Sequence, residues 1–155
     1  MRVEISNRQT SLAFDEQRLH AAIRQIMEDA GVTDGDVSLA IVDDREIHAL
    51  NRQFLQHDYP TDVLSFLLER DAQRLEGEII VSAGTASRLA EQVGWPAEDE
   101  LLLYVIHGAL HLVGYDDGDP RSLAEMRAQE RRHLGSFGLE RRAAPDEDAG
   151  EPGAA

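Results

Sequence analysis

The chain contains no cysteine, so disulfides and thiolate metal sites are both excluded. Any metal must be held by histidine, carboxylate or backbone. Lysine is also absent: all 15 basic residues are arginines, set against 30 acidic ones, for a formal net charge of -15. Such a balance argues against strong non-specific attraction to nucleic acid, which rests on neutralising phosphates. Long apolar runs are missing too. The N-terminal MRVEISNRQT has no run of signal-peptide length, and the longest apolar stretch, LLLYVI at 101–106, is far too short to span a bilayer. No membrane partner and a cytoplasmic location are therefore expected. No Gly-rich phosphate loop or dinucleotide fingerprint follows a predicted strand, so no nucleotide cofactor is expected. There are no internal repeats.

What remains is a chain of 155 residues with 42% hydrophobic content, enough for one domain with a real core. Period-two alternation predicts strands over RVEIS (2–6), DVSLAIVDD (36–44), TDVLSFLLE (61–69) and EGEIIVSAG (76–84). Helices are predicted over DEQRLHAAIRQIMEDAG (15–31), where Leu19, Ala22, Ile23, Ile26, Met27 and Ala30 recur at helical spacing, and over DREIHALNRQFL (44–55). ASRLAEQVG (86–94) and AEDELLLYVIHGALHLVG (97–114) follow as a short helix and a long apolar one, with a last helix in the arginine-rich segment 121–142. That segment reads as a solvated face, with its arginines pairing Glu125, Glu130 and Glu140. The expected fold is α/β (α+β): a small mixed sheet of about four strands with helices packed on it, and a buried central helix. Residues 1–142 form the expected domain, and 143–155, AAPDEDAGEPGAA, a disordered acidic tail.

The chemistry concentrates in VIHGALHLVGYDDGDP, residues 105–120. His107 and His111 lie one turn apart on an apolar helix and point the same way. Gly114 stops the helix and lets the chain turn, which can return Asp117 to the same point. Two imidazoles and one carboxylate, with a further position open, form an accepted ligand set for catalytic zinc. Two histidines satisfied by buried hydrogen bonds are the plainer alternative. The four remaining histidines, His20, His48, His57 and His133, read as ordinary surface or half-buried residues.

HGALHLVGYDD resembles the H-G-x-L-H-L-x-G-Y-D-H signature of the YbeY family, bacterial metal-dependent endoribonucleases of ribosomal RNA maturation. LNRQFLQHDYPTDVLSF, residues 50–66, is similar to that family's L-N-x-x-Y-R-x-x-D-x-P-T-D-V-L-S-F block, and EGEIIVSAGTA (76–86) to its G-D-I-x-I-S segment. The three blocks stand in the family's order. The resemblance implies a compact α/β fold with one zinc, or another divalent ion, per chain, in a cleft for single-stranded RNA. It further implies action on an rRNA precursor, at the 16S 3′ end, and in quality control of the small ribosomal subunit.

Two positions depart from the pattern: Asp117 replaces the third metal histidine, and Leu55 replaces an arginine. On the resemblance, the metal ligands are His107, His111 and Asp117, with Asp116 as the rival to Asp117. Thr61, Asp62 and Arg52 are the substrate-binding candidates. Pro60-Thr61-Asp62 also reads as a turn into a strand, and Arg52 lies about one turn before Leu55. No protein general base is evident, because position 108 is glycine where the zinc peptidase helix H-E-x-x-H carries its glutamate. Besides the nuclease, two readings stand. One is a non-catalytic ribosome-assembly factor with a structural metal; the other is a metzincin-like zinc peptidase.

Overall fold

The structure is a computed structural model, and it describes residues 1–55 and 62–141. Thr61 and the tail expected at 143–155 lie outside the described residues. Nine elements follow in the order β1 (Arg2–Asn7), α1 (Glu16–Asp29), β2 (Asp34–Val42), α2 (Asp44–Leu55), β3 (Val63–Arg70), β4 (Arg74–Ser82), α3 (Ala83–Val93), α4 (Ala97–Leu112) and α5 (Pro120–Gly135).

The strands form one mixed sheet in the order β1-β2-β4-β3. β1 and β4 run parallel to β2, and β3 is antiparallel to β4. The β3–β4 hairpin turns at Asp71, whose carboxylate accepts the backbone N–H groups of Gln73 at 3.2 Å and Arg74 at 2.9 Å. Alternation decides which face is buried: Val37, Leu39 and Ile41 of β2 and Leu75, Ile79 and Val81 of β4 point into the core.

α1 begins where Asp15 accepts the Gln17 N–H, and it buries Leu19, Ala22, Ile23, Ile26 and Met27. α4 is the hub, packing against α1, α3 and α5 and against β3 and β4. It is buried nearly all round, as its composition predicts. α2 packs on the opposite face of the sheet, where Ile47 and Leu50 join Val42, Leu64, Phe66 and Ile80.

The junction of β4 and α3 differs from the sequence reading. Alternation carries β4 to Gly84, but the strand ends at Ser82, whose hydroxyl accepts the Thr85 N–H at 3.0 Å and starts α3 at Ala83. A serine at a helix N-cap competes with the strand ladder for its own chain. Among the described residues, no helix is long and apolar enough to cross a membrane.

Candidate metal centre

α4 closes at Val113, and Gly114 follows with φ of +106°, a left-handed conformation that a side chain would resist. The chain reverses there. Asp116 accepts the Asp117 N–H at 2.8 Å, and Asp119 caps α5 by accepting the Ser122 N–H at 2.9 Å. Between these two braces, Asp117 turns back over the end of α4.

The result is a convergence of three acceptors. His107 Nε2 and His111 Nε2 lie 3.0 Å apart, and Asp117 Oδ2 is 3.4 Å from each. Ligands about 2.1 Å from one ion stand about 3.0 Å apart at right angles and about 3.4 Å apart at tetrahedral angles. The three atoms therefore fit a shared cation without rearrangement. Their side chains are 16%, 27% and 14% exposed, so the group is recessed yet open on one side. The carboxylate of Asp116 is engaged by its own loop and stands outside this group.

Electrostatics hold the cluster together. Burial works against charge on His107, but hydrogen bonds to Asp117 and Glu130, with their negative charges, outweigh it and lift its pKa to about 9. The hydrogen bond with His107 holds Asp117 below the usual carboxylate range, against the effect of burial. A cation would replace the proton in balancing these carboxylates.

Glu130 is one residue that the sequence reading placed wrongly. It was expected on a solvated face, but its side chain is 4% exposed and its Oε2 lies 2.6 Å from His107 Nδ1. Arg127 donates to its other oxygen at 2.8 Å. Burial raises the Glu130 pKa, but His107 and Arg127 prevail and hold it low, so it stays an acceptor. By accepting Nδ1–H it favours the tautomer in which a cation replacing the second proton would meet the Nε2 lone pair, on the side of His111 and Asp117. A signal was present: Met126, Glu130 and His133/Leu134 fall on one helical face, which makes Glu130 an acid at a core position. His133, expected as a surface or half-buried residue, is buried on that face.

A second polar feature runs down α4. Glu100, Tyr104, His107 and His111 follow at helical spacing, forming a stripe along an otherwise apolar helix. Glu100 is fully buried; it accepts Arg141 Nε at 2.7 Å and Trp95 Nε1 at 2.9 Å. Arg141 thus leaves the expected solvated face and enters the core. Its guanidinium also lies 5.8 Å from the centre of the Trp95 ring.

Of the substrate candidates, Asp62 stands at the head of β3, with its side chain accepting the Val63 N–H at 2.8 Å. Burial pushes its carboxyl pKa up, and the charge of His107 opposes that rise, so the two groups feel one another. Arg52 is exposed in the last turn of α2, across the sheet from α4. Gly108 lies between the two histidines and against the sheet. A Cβ there would come within 2.6 Å of Ile79 Cγ2 and 3.1 Å of Ser65 Oγ. α4 can approach the strands this closely only without a side chain at 108.

The family model described as Endoribonuclease YbeY matches residues 4–138. The chain is 46% identical over 121 residues to the Endoribonuclease YbeY of Rhodopirellula baltica, a match covering 77% of this chain and 62% of that relative's length. It is 38% identical over 135 residues to the same-named protein of Syntrophotalea carbinolica, covering 83% and 90%. The corresponding Moorella thermoacetica protein is 35% identical over 157 residues, covering 91% and 100%. A Thermotoga maritima protein solved in solution aligns with a TM-score of 0.59 at 28% identity, over 97% of this chain and 98% of that one. A family match across most of the described residues, joined to relatives of this similarity, shows that the chain belongs to the YbeY family.

Proposed function

We propose that the protein is a metal-dependent endoribonuclease that cuts single-stranded RNA in ribosomal RNA maturation, including the 3′ end of 16S rRNA. In this reading it works in the cytoplasm beside the small ribosomal subunit and takes part in that subunit's quality control. The observation that carries the reading is the convergence of His107, His111 and Asp117 at spacings of 3.0 and 3.4 Å in a chain of this family. We assign one zinc per chain to these three atoms, since imidazole and carboxylate are both good zinc ligands.

Zinc held by His107, His111 and Asp117 would supply Lewis-acid chemistry for phosphodiester cleavage. The protein's own part is to position and to hold protons. Glu130 keeps the His107 proton on Nδ1, so Nε2 is presented as a lone pair. Asp117 contributes a negative charge that a histidine would not, which lowers the net charge of the loaded site by one unit and favours harder ions. Thr61, Asp62 and Arg52 are the residues this reading turns toward RNA, with Arg52 taking a phosphate contact that Leu55 cannot make.

The peptidase reading loses support at Gly108. A glutamate there would need space that Ile79 and Ser65 already fill, so the peptidase proton shuttle has no place on this helix. A non-catalytic assembly role keeps two favouring observations, Leu55 in place of the pattern's arginine and the net charge of -15. One experiment separates it from the nuclease. Metal content is measured on the purified protein, and cleavage of single-stranded RNA is followed with zinc, with chelator, and after zinc is restored. Chelator-sensitive cleavage that returns with zinc supports the nuclease. A metal-loaded protein that leaves RNA intact overturns it.

A further inference from the structure

α2 covers only one end of the outer sheet face. Among the described residues the strands beyond Leu50 lie open, leaving a groove of about 890 Å³ whose floor includes Glu4, Ser38, Glu78 and Phe66. These four stand abreast across all four strands: Glu4 opposite Ser38, Ser38 opposite Glu78, and Glu78 opposite Phe66.

Two properties mark this groove. The first is apolar and exposed. The β3–β4 register shifts between Leu67 and Glu69, so Leu68 has no partner on β4 and bulges over the groove. Leu68 is 63% exposed, and with Leu67 it supplies the exposed large apolar side chains among the described residues. A bulge re-aims a side chain, and here it displays a leucine on an edge strand, where solubility alone favours a charge.

The second property is charge. Arg2 pairs with Glu4, and Arg74 with Asp34 at 2.9 Å and Glu76 at 2.7 Å. At the rim, Arg8 pairs with Glu46 at 2.8 Å. The arginines of this face are therefore occupied, while Asp36 and Glu78 have no ion pair among the described residues. The face is left net negative, within a chain of net charge -15. Phosphate backbone is repelled from such a surface, and so is the same face of a second copy.

We infer that this outer sheet face docks a protein partner through an extended, arginine- or lysine-rich segment whose large apolar side chain seats against Leu68. Carboxylates in register across the strands match a segment that presents cations at alternate positions, and the bulged leucine supplies the anchor that charge alone lacks.

The test uses the full chain and a fluorescein-labelled 12-residue peptide of alternating arginine and leucine, followed by anisotropy. A second peptide carries serine for leucine, and a 12-nucleotide single-stranded RNA competes. Glu78→Arg and Leu68→Ser are each expected to weaken the first peptide about tenfold, at unchanged melting temperature. Glu91→Arg, an equal change of charge on exposed α3, is expected to shift it less than about twofold. Should Glu78→Arg fail to fold, Glu4→Arg on β1, beyond β2 in the same row, makes the same comparison. Equal weakening by Glu78→Arg and Glu91→Arg overturns the inference, as does indifference to Leu68→Ser or to serine in the peptide. RNA displacing the peptide, or a dimer in sedimentation that Leu68→Ser dissolves, overturns it as well.

Discussion

Glu130 Oε2 sits 2.6 Å from His107 Nδ1, and this contact ties helix α5 to the imidazole of helix α4. It makes an acid remote from the motif responsible for the direction in which a motif histidine faces. Replacing Glu130 with alanine frees the ring to rotate and to change tautomer. Zinc affinity is expected to fall about 10–100-fold, as is usual when an outer partner of a ligating histidine is lost. Glu130→Gln keeps an acceptor for Nδ1–H, so its loss should be the smaller. Competition titrations against a chromogenic chelator measure both, and equal affinity in Glu130→Ala and the parent would refute the role.

Asp117 and Asp116 are neighbours with opposite expected phenotypes. Asp117 Oδ2 faces both imidazoles, whereas Asp116 accepts a backbone N–H from its own loop. Asp117→Ala should strip most of the metal from the purified protein, and Asp116→Ala should retain it. Asp117→His restores the family pattern and removes one negative charge, so it should bind zinc with less competition from manganese. Inductively coupled plasma analysis of the three variants reads this directly. Full occupancy in Asp117→Ala defeats the assignment.

Local signals carried most of the architecture. The helix at 15–31 was visible because Leu19, Ile23, Ile26 and Met27 share a face, and the mixed sheet because Val37, Leu39 and Ile41 alternate. The candidate triad was legible for the same reason: His107, His111 and Asp117 lie within one helix end and its turn. Glu130 and Arg141 were not, since their partners His107 and Glu100 lie 23 and 41 residues away and meet them only when the helices pack. In both cases an apparently solvated charge is drawn inward by another buried polar group, a conflict with local pattern that tertiary pairing resolves. The start of α3 was missed because a single serine cap outweighs two further residues of alternation.

Asp44 gives the fold a pH dependence away from the candidate metal centre. It opens α2 and accepts from Ser82 at 2.6 Å, from Thr85 at 3.2 Å and from Arg88, so one carboxylate joins the starts of α2 and α3. Burial raises its pKa, but these donors prevail and set it below 3.8. A folded value below the unfolded one means that the stabilisation is complete above about pH 4 and fades as pH falls through the folded value. Asp44→Asn is therefore expected to melt about 2–4 °C below the parent at pH 7. The gap should narrow as the pH is lowered below the ordinary carboxylate range. Parallel melts across that range check it, and a gap constant with pH would show that the carboxylate charge is not the cause.

Gly108 separates this helix from a peptidase helix by packing as well as by chemistry. A Cβ at 108 meets Ile79 Cγ2 at 2.6 Å, Ser65 Oγ at 3.1 Å and Val63 Cγ2 at 3.1 Å, and Ser65 Oγ also donates to the Gly108 carbonyl at 3.1 Å. Ile79 is fully buried in β4, so it has little room to yield. Gly108→Ala would gain helix propensity worth up to about 1 kcal/mol, but overpacking should cost about 1–3 kcal/mol, leaving a net loss of stability in urea titrations. Gly108→Glu adds a carboxylate that must be buried against the sheet or push α4 away from it. That variant completes the H-E-x-x-H pattern, yet it is expected to lose folded protein and zinc together and to gain no cleavage of casein. A soluble, zinc-loaded Gly108→Glu protein would show that α4 and the strands can part at this point. The close approach would then no longer explain why the helix carries glycine between its two histidines.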